Sequence, residues 1–462
     1  MNIEEYLDEL KGQIRDKHAK EFVGDEVRCH IEEQMEAYEN SGIPHDEALA
    51  KAVNEMGDPV GVGVDLDRIH RPHMEWRFLL YVLFISVLNI VVQYVINRNM
   101  PIKTGIGMFE NLSRVSIFCT VIGFVVMLVI YRLDYTILTG RSRIMGAAYL
   151  ILLTVLSVFR GLTINGFTGW IIIGTLSMPV FALMVLFLPF FAGILYEYRG
   201  QGKSAIIKIA LWMLVPVFVQ VHAGYISSPV ALFILTAEAI LFVIALRKNW
   251  YAVNKRAVLI GGAILSVVLL SGALIRIYSF NEYQSARLRN WLAHFGIGSY
   301  ADNADSTINY VNSRLHDTFT KSKLIGGSDA AVEVMKEVPS YRNDLILGSV
   351  AANCGIIAMI GVILCLALLS VHMFRISMRQ TNSLGCIVGC SCGVAIGLQS
   401  LSNVLIVFGI LPLTDSILPF FAIGISFAVV DYILLGLVLS IYRYKDIRRE
   451  KTVERLTLRS VE

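Results

Sequence analysis

Over the first 72 residues, apolar positions recur at helical spacing but never run together. Ile3, Leu7, Leu10 and Ile14, then Val27, Ile31, Met35 and Tyr38, each mark one face of an amphipathic helix. A third helix is expected to begin near Pro44, run through Ala48, Leu49, Ala52, Val53 and Met56, and stop at Gly57; Asp58-Pro59 opens a fourth. Residues 1–72 therefore read as a small helical bundle of soluble character.

Beyond it the pattern changes to long apolar runs. Ten are expected to cross a bilayer: Phe78 to Ile96, Val115 to Tyr131, Ile144 to Phe159, Ile171 to Leu195, Ala205 to Val221, Val230 to Leu246, Ala257 to Ile275, Leu345 to Phe374, Leu384 to Leu411 and Ile417 to Ile441. Basic residues concentrate in alternate connections: Arg132, Arg141 and Arg143; Arg199 and Lys203; Arg247, Lys248, Lys255 and Arg256; Arg375 and Arg379; and a basic tail over 447–462. By the positive-inside rule these connections and both termini are cytosolic. One long polar excursion, 276–343, then falls outside, where it is the large soluble-facing surface.

Composition fits this division. Of 462 residues 55% are hydrophobic and 17% charged, and the mean hydropathy is +0.61, too apolar for a soluble chain of this length. A net charge of +3 points to no nucleic-acid partner. Met1 to Lys20 hold no continuous apolar core, so no cleavable signal peptide is expected there. The seven cysteines do not form a disulfide framework. Cys386, Cys390 and Cys392 lie within one apolar run without companion His or carboxylate, which reads as helix packing ahead of a metal cluster.

Few ionisable residues fall at membrane depth. Asp344, at the mouth of the eighth segment in Val338-Pro339-Ser340-Tyr341-Arg342-Asn343-Asp344, is either a helix cap or a chemical group. Glu238, Asp431 and His222 lie inside or at the edge of other segments, with packing or pairing as the alternative to function; Asp431 is expected to snorkel toward polar neighbours.

The stretch around Asp344 resembles the Asp-Phe-Ile-Phe segment of the SEDS family, the FtsW, RodA and SpoVE proteins that polymerise peptidoglycan. Asn403, Gly409-Ile410-Leu411-Pro412-Leu413-Thr414 and Leu418-Pro419-Phe420 are similar to that family's Asn, Gly-Leu-Leu-Pro and Leu-Pro-Phe signature. Asn165-Gly166 with Trp170-Ile171 is a weaker echo of its Gly-Ala-Arg-Arg-Trp-Ile string. The resemblance covers Met74 to about Asp446 and implies an all-α membrane protein, a ten-helix SEDS-like domain over 74–446. The string from His45 to Pro59 resembles the prefix domains that precede bacterial permeases.

The chain departs from the family at several positions. The paired arginine before Trp170 is missing, the Pro-Ser-Glu segment reads Pro179-Val180-Phe181, a Glu-Glu pair is replaced by Ala352-Asn353, and Ser-Tyr-Gly-Gly-Ser is reduced to Ala422-Ile423-Gly424-Ile425-Ser426. The resemblance implies glycosyl transfer between molecules of lipid II, with a class B penicillin-binding transpeptidase as partner. Asp344 would be the general base; Arg287, Arg289, Arg314, Lys321, Lys323 and Arg342 are candidate cations for the pyrophosphate, with Mg2+ as a companion, and Asn403 and Thr414 would bind substrate. Two other classes remain open. The departures suit a catalytically silent lipid II-binding or scaffold relative. The prefix domain suits a transporter component, although the chain has no Walker A string and no visible internal symmetry.

Overall fold

The computed structural model describes residues 2–70, 74–101, 112–164, 167–174, 176–222, 228–262, 289, 291–293, 295–297, 307–412 and 416–445. Four helices come first: α1 (Ile3–Gln13), α2 (Lys17–Asn40), α3 (His45–Glu55) and α4 (Pro59–Ile69). Their ends follow from local chemistry. Asn2 and Glu5 form a reciprocal capping box on α1, and the Asp58 carboxylate accepts from the Gly61 amide at the start of α4, where Pro59 occupies the first helical position. Tyr6, Leu7, Leu10, Ala48 and Ala52 are fully buried where these helices meet.

The membrane part holds α5 (Trp76–Asn99), α6 (Leu112–Arg132), α7 (Ser142–Arg160), α8 (Val180–Val185), α9 (Phe187–Glu197), α10 (Lys203–His222) and α11 (Ser228–Arg247). After these come α12 (Thr307–Lys321), α13 (Asp329–Lys336), α14 (Ile346–Cys354), α15 (Ile356–Met378), α16 (Ser383–Val407) and α17 (Ile425–Arg443). Among the described residues, 8 stretches are long and apolar enough to span a membrane, α8 and α9 counting as one. The chain is a multi-pass, all-α membrane protein. Of the ten expected spans, the fifth is α10, and of the seventh only 257–262 is described, as helix.

Four expected spans take a different form. Residues from Ile171 are not helical at first: β1 (Gly161–Ile164), β2 (Phe167–Ile173) and β3 (Leu176–Pro179) form a small antiparallel sheet in that order. The β-branched run Ile171-Ile172-Ile173 favours strand, Gly174 turns the chain at φ +63°, and helix resumes at Val180. The segment read as Leu345 to Phe374 breaks at Gly355 (φ +97°), so that α14 is a short helix, buried from Ile346 to Asn353, and the span is α15. A Cβ at Gly355 would stand 2.8 Å from the Leu324 carbonyl oxygen, so both torsion and space demand glycine here. Finally, α16 ends at Val407 and α17 begins only at Ile425, leaving 416–424 as irregular chain between them.

α15 and α16 pack closely. A Cβ at Gly389 would collide with the Ser377 hydroxyl, so the glycine lets two backbones approach as small residues do in membranes. Cys386, Cys390 and Cys392 are buried in this helix, Cys386 beside Lys248 (Nζ to Sγ 3.0 Å). Among the described residues no three His, Cys, Asp or Glu side chains converge on a metal position.

Candidate functional site

Asp344 sits in a tight turn over 340–345 that precedes α14. Ser340 starts it in the left-handed region (φ +56°), and its carbonyl accepts from the amides of Asn343 (3.1 Å) and Leu345 (3.3 Å). The Ser349 hydroxyl, one turn into α14, donates to the Tyr341 carbonyl at 2.6 Å. Asp344 is half-buried. The helix cap expected of it falls instead on Leu345, whose side chain makes no capping bond; Asp344 stands one residue outside the helix.

Two asparagines tie this turn to the irregular segment 416–424. Asn403, fully buried on α16, donates through Nδ2 to the carbonyls of both Asp344 (2.8 Å) and Ser416 (2.7 Å). Asn343 Oδ1 accepts from the Ile423 amide at 3.2 Å. The middle of the segment is held from other sides: Asp431 Oδ2 accepts from the Phe420 amide at 2.8 Å, and Gln93 Nε2 donates to the Phe421 carbonyl at 2.6 Å. Buried non-helical backbone requires such replacement partners. Phe420 itself lies in the left-handed region (φ +66°).

Asp431 is therefore buried, and the polar neighbour it reaches is the Phe420 amide of this segment. Gln93, Asn343 and Asp431 were not foreseen in this role. A signal existed for Gln93: Ser86, Asn89 and Gln93 lie 3 and 4 residues apart in an otherwise apolar run and so share one helix face. That face adjoins a small polar cavity bounded by Ser86, Asn89, Ser116, Thr120, Ile423 and Tyr432. Within it Ser86 and Tyr432 hydroxyls lie 2.6 Å apart, and Asn89 Nδ2 lies 3.3 Å from Ser116 Oγ.

The candidate cations are dispersed. Arg342, two residues from Asp344, is buried; its guanidinium donates to Asn97 Oδ1 (3.4 Å), to the Tyr341 hydroxyl (3.0 Å) and to the Met100 carbonyl at the end of α5, where the helix dipole favours a cation. Arg314 pairs with Glu337 at 2.9 Å and lies over the Tyr310 ring; its bond with the Tyr310 hydroxyl, ahead of the Glu337 charge, raises its pKa further above the usual arginine value. Lys321 and Lys323 are exposed at the far end of α12, and Arg289 is exposed. Arg287, Thr414 and the tail 447–462 lie outside the described residues. The structure thus brings Asp344 and Asn403 together and leaves the basic residues spread along the connection.

A family model, FTSW_RODA_SPOVE, described as cell cycle protein, matches residues 73–447. The chain belongs to this family, the SEDS proteins. A probable peptidoglycan glycosyltransferase FtsW of Xanthomonas oryzae is 25% identical over 70% of this SEDS chain, which spans 64% of that relative. One of the same description from Enterococcus hirae is 24% identical over 64% of the chain and 73% of the relative. In fold, the SEDS chain is similar to a chain of a peptidoglycan synthase complex that coordinates polymerization and crosslinking (TM-score 0.63, 18% identity, 80% of this chain and 98% of that one). It is similar also to the rod shape determining protein RodA of Thermus thermophilus (TM-score 0.55, 17% identity, 80% and 97%).

Proposed function

We propose that this SEDS protein polymerises lipid II outside the plasma membrane, with both termini in the cytosol, and that Asp344 is its general base. One observation carries the assignment of Asp344. It is a carboxylate on a half-buried turn, clamped by Asn403 and Asn343 to the segment 416–424, so its backbone is held in one position. In the reaction the acceptor sugar hydroxyl gives its proton to Asp344 as its oxygen attacks the anomeric carbon of the donor. The bond from that carbon to the lipid pyrophosphate breaks with inversion. Mg2+ belongs to the substrate in this scheme, carried on the diphosphate as that ion commonly is. The partner is a class B penicillin-binding transpeptidase, in keeping with the likeness to a chain of a complex that couples polymerization to crosslinking.

Purified protein incubated with labelled lipid II is expected to give glycan ladders. Asp344→Asn is expected to slow their formation about 100- to 10,000-fold without lowering the melting temperature. Ladders from the Asn variant at the parent rate would remove Asp344 as the base. Reaction of a cysteine at position 333 with an impermeant reagent in intact cells checks the orientation; reaction only after lysis refutes it.

A second reading, a silent lipid II-binding relative, is favoured by the cations. The guanidinium groups of Arg342 and Arg314 are already engaged by protein groups. If the unsubstituted protein binds labelled lipid II yet makes no ladders with or without a transpeptidase, this reading is preferred.

A further inference from the structure

The connection between α12 and α13 forms a hairpin tip, Lys321-Ser322-Lys323-Leu324-Ile325-Gly326-Gly327-Ser328, bonded onto the break at Gly355. The first amides of α15 find their acceptors in this tip: Ile356 donates to the Lys323 carbonyl (3.0 Å) and Ile357 to the Leu324 carbonyl (3.1 Å). In return the Gly326 amide donates to Cys354 O at 3.1 Å and the Ser328 amide to Ala352 O at 2.9 Å. The tip is therefore fixed at one end of a membrane-crossing helix.

Along α15, Ile357, Ile360, Leu364, Leu368 and Val371 are exposed at spacings of 3, 4, 4 and 3, one continuous face on a span of 23 residues. This is the helix's lipid face. Leu324 and Ile325, attached at its first turn, are 67% and 77% exposed. They add two exposed apolar side chains at the end of that helix. Lys321 and Lys323 flank them, both exposed, with ammonium groups on flexible stems.

We propose that this tip is a membrane wedge: Leu324 and Ile325 insert into the acyl region of the leaflet at this end of α15, and Lys321 and Lys323 contact the phosphates of anionic lipid headgroups. Attachment at the end of this lipid-facing helix selects lipid as the occupant, because the tip begins where the span's own lipid contact ends. The adjacent lysines match the position and sign that headgroup phosphates require. The wedge also has a mechanical consequence. Its bonds to Ala352 and Cys354 fix the far end of α14, and the near end of that helix carries the Asp344 turn. The depth of the turn relative to the headgroups is set by the wedge, whatever the chemistry at Asp344.

Site-directed spin labels on the full chain in lipid nanodiscs test this. A label replacing Ile325 is expected to collide with dissolved oxygen and to be shielded from water-soluble nickel chelate. A label replacing the exposed Glu333 on α13 should show the reverse. Nickel access at 325 equal to that at 333 overturns the wedge; so does a label at 325 shielded from both quenchers, which marks a protein contact instead. For the headgroup contact, adding phosphatidylglycerol to phosphatidylcholine discs is expected to deepen the label at 325 in the parent and not in Lys321→Gln/Lys323→Gln. The same shift in both chains, or none in either, overturns the role of the lysines.

Discussion

Replacing Asn403 by Ala separates positioning from substrate binding at the candidate site. Its Nδ2 donates to two backbone carbonyls, those of Asp344 and Ser416, and the side chain is fully buried. Each such bond contributes about 0.5–1.5 kcal/mol net, and buried carbonyls deprived of a donor add to the loss, so Asn403→Ala is expected to destabilise the protein by about 2–4 kcal/mol. Ser400 is the control. It lies one turn away on the same helix, is buried, and bonds only back to Ile396 O within α16, so Ser400→Ala is expected to change stability little. Reversible unfolding in detergent gives both numbers. Where polymerisation is followed as well, a positioning residue lowers kcat with KM nearly unchanged, whereas a residue that holds substrate raises KM. Asn403→Ala within about 0.5 kcal/mol of Ser400→Ala would refute the clamp, and an isolated rise in KM would return Asn403 to the substrate-binding role its motif implies.

Three further outcomes follow from the same geometry. Glu238 is fully buried in α11 and, among the described residues, neither carboxylate oxygen has a hydrogen-bond partner, so Glu238→Met is expected to raise the unfolding midpoint by the equivalent of about 1–3 kcal/mol; a fall, measured in the same detergent, would show that the carboxyl is used. Gly355→Ala is expected to displace the 323–328 tip because of its torsion and the nearby Leu324 carbonyl, read as new proteolytic cleavage between α12 and α13; an unchanged digest would contradict this. The Arg28 guanidinium bonds Glu4 across α1 and α2 at 2.8 Å and lowers the carboxyl's pKa below the ordinary 4.5. That lowered pKa contributes stability above pH 4.5 that disappears as pH falls through the folded value, so circular dichroism should show Arg28→Gln reducing acid resistance of the helices only in the more neutral part of the titration.

Long-period patterns were legible in the sequence, and short-range exceptions to them were not. The apolar runs gave α5, α6, α7, α10, α11 and α16 to within a few residues, and the C-terminal ends of α15 and α17, because lipid-facing and core-facing positions are both apolar and only length matters. The same indifference hid the breaks. Ile171-Ile172-Ile173 is equally apolar as strand or helix, and Leu345 to Phe374 hides its interruption because the reason lies elsewhere: the Leu324 carbonyl packs against Gly355. At the site, Asp344 and Asn403 were visible as polar residues in apolar surroundings, and the structure joins them. The engagement of Arg342 with the end of α5 could not be read, because it depends on a contact 242 residues distant in the chain.

The clamp on 416–424 also dictates an order of manufacture. Its partners come from opposite ends of the chain: Gln93 lies 328 residues before the Phe421 carbonyl it holds, and Asp431 lies 11 residues after the Phe420 amide. A nascent chain threading into the bilayer from its N-terminus carries Gln93 in place long before its acceptor exists, and carries Asp344 before Asn403, 59 residues later, can secure it. The turn at Asp344 and the segment 416–424 therefore gain all of these bonds only when the last helix has entered. A chain that stops before the last helix has its early helices but lacks the partners that hold this turn.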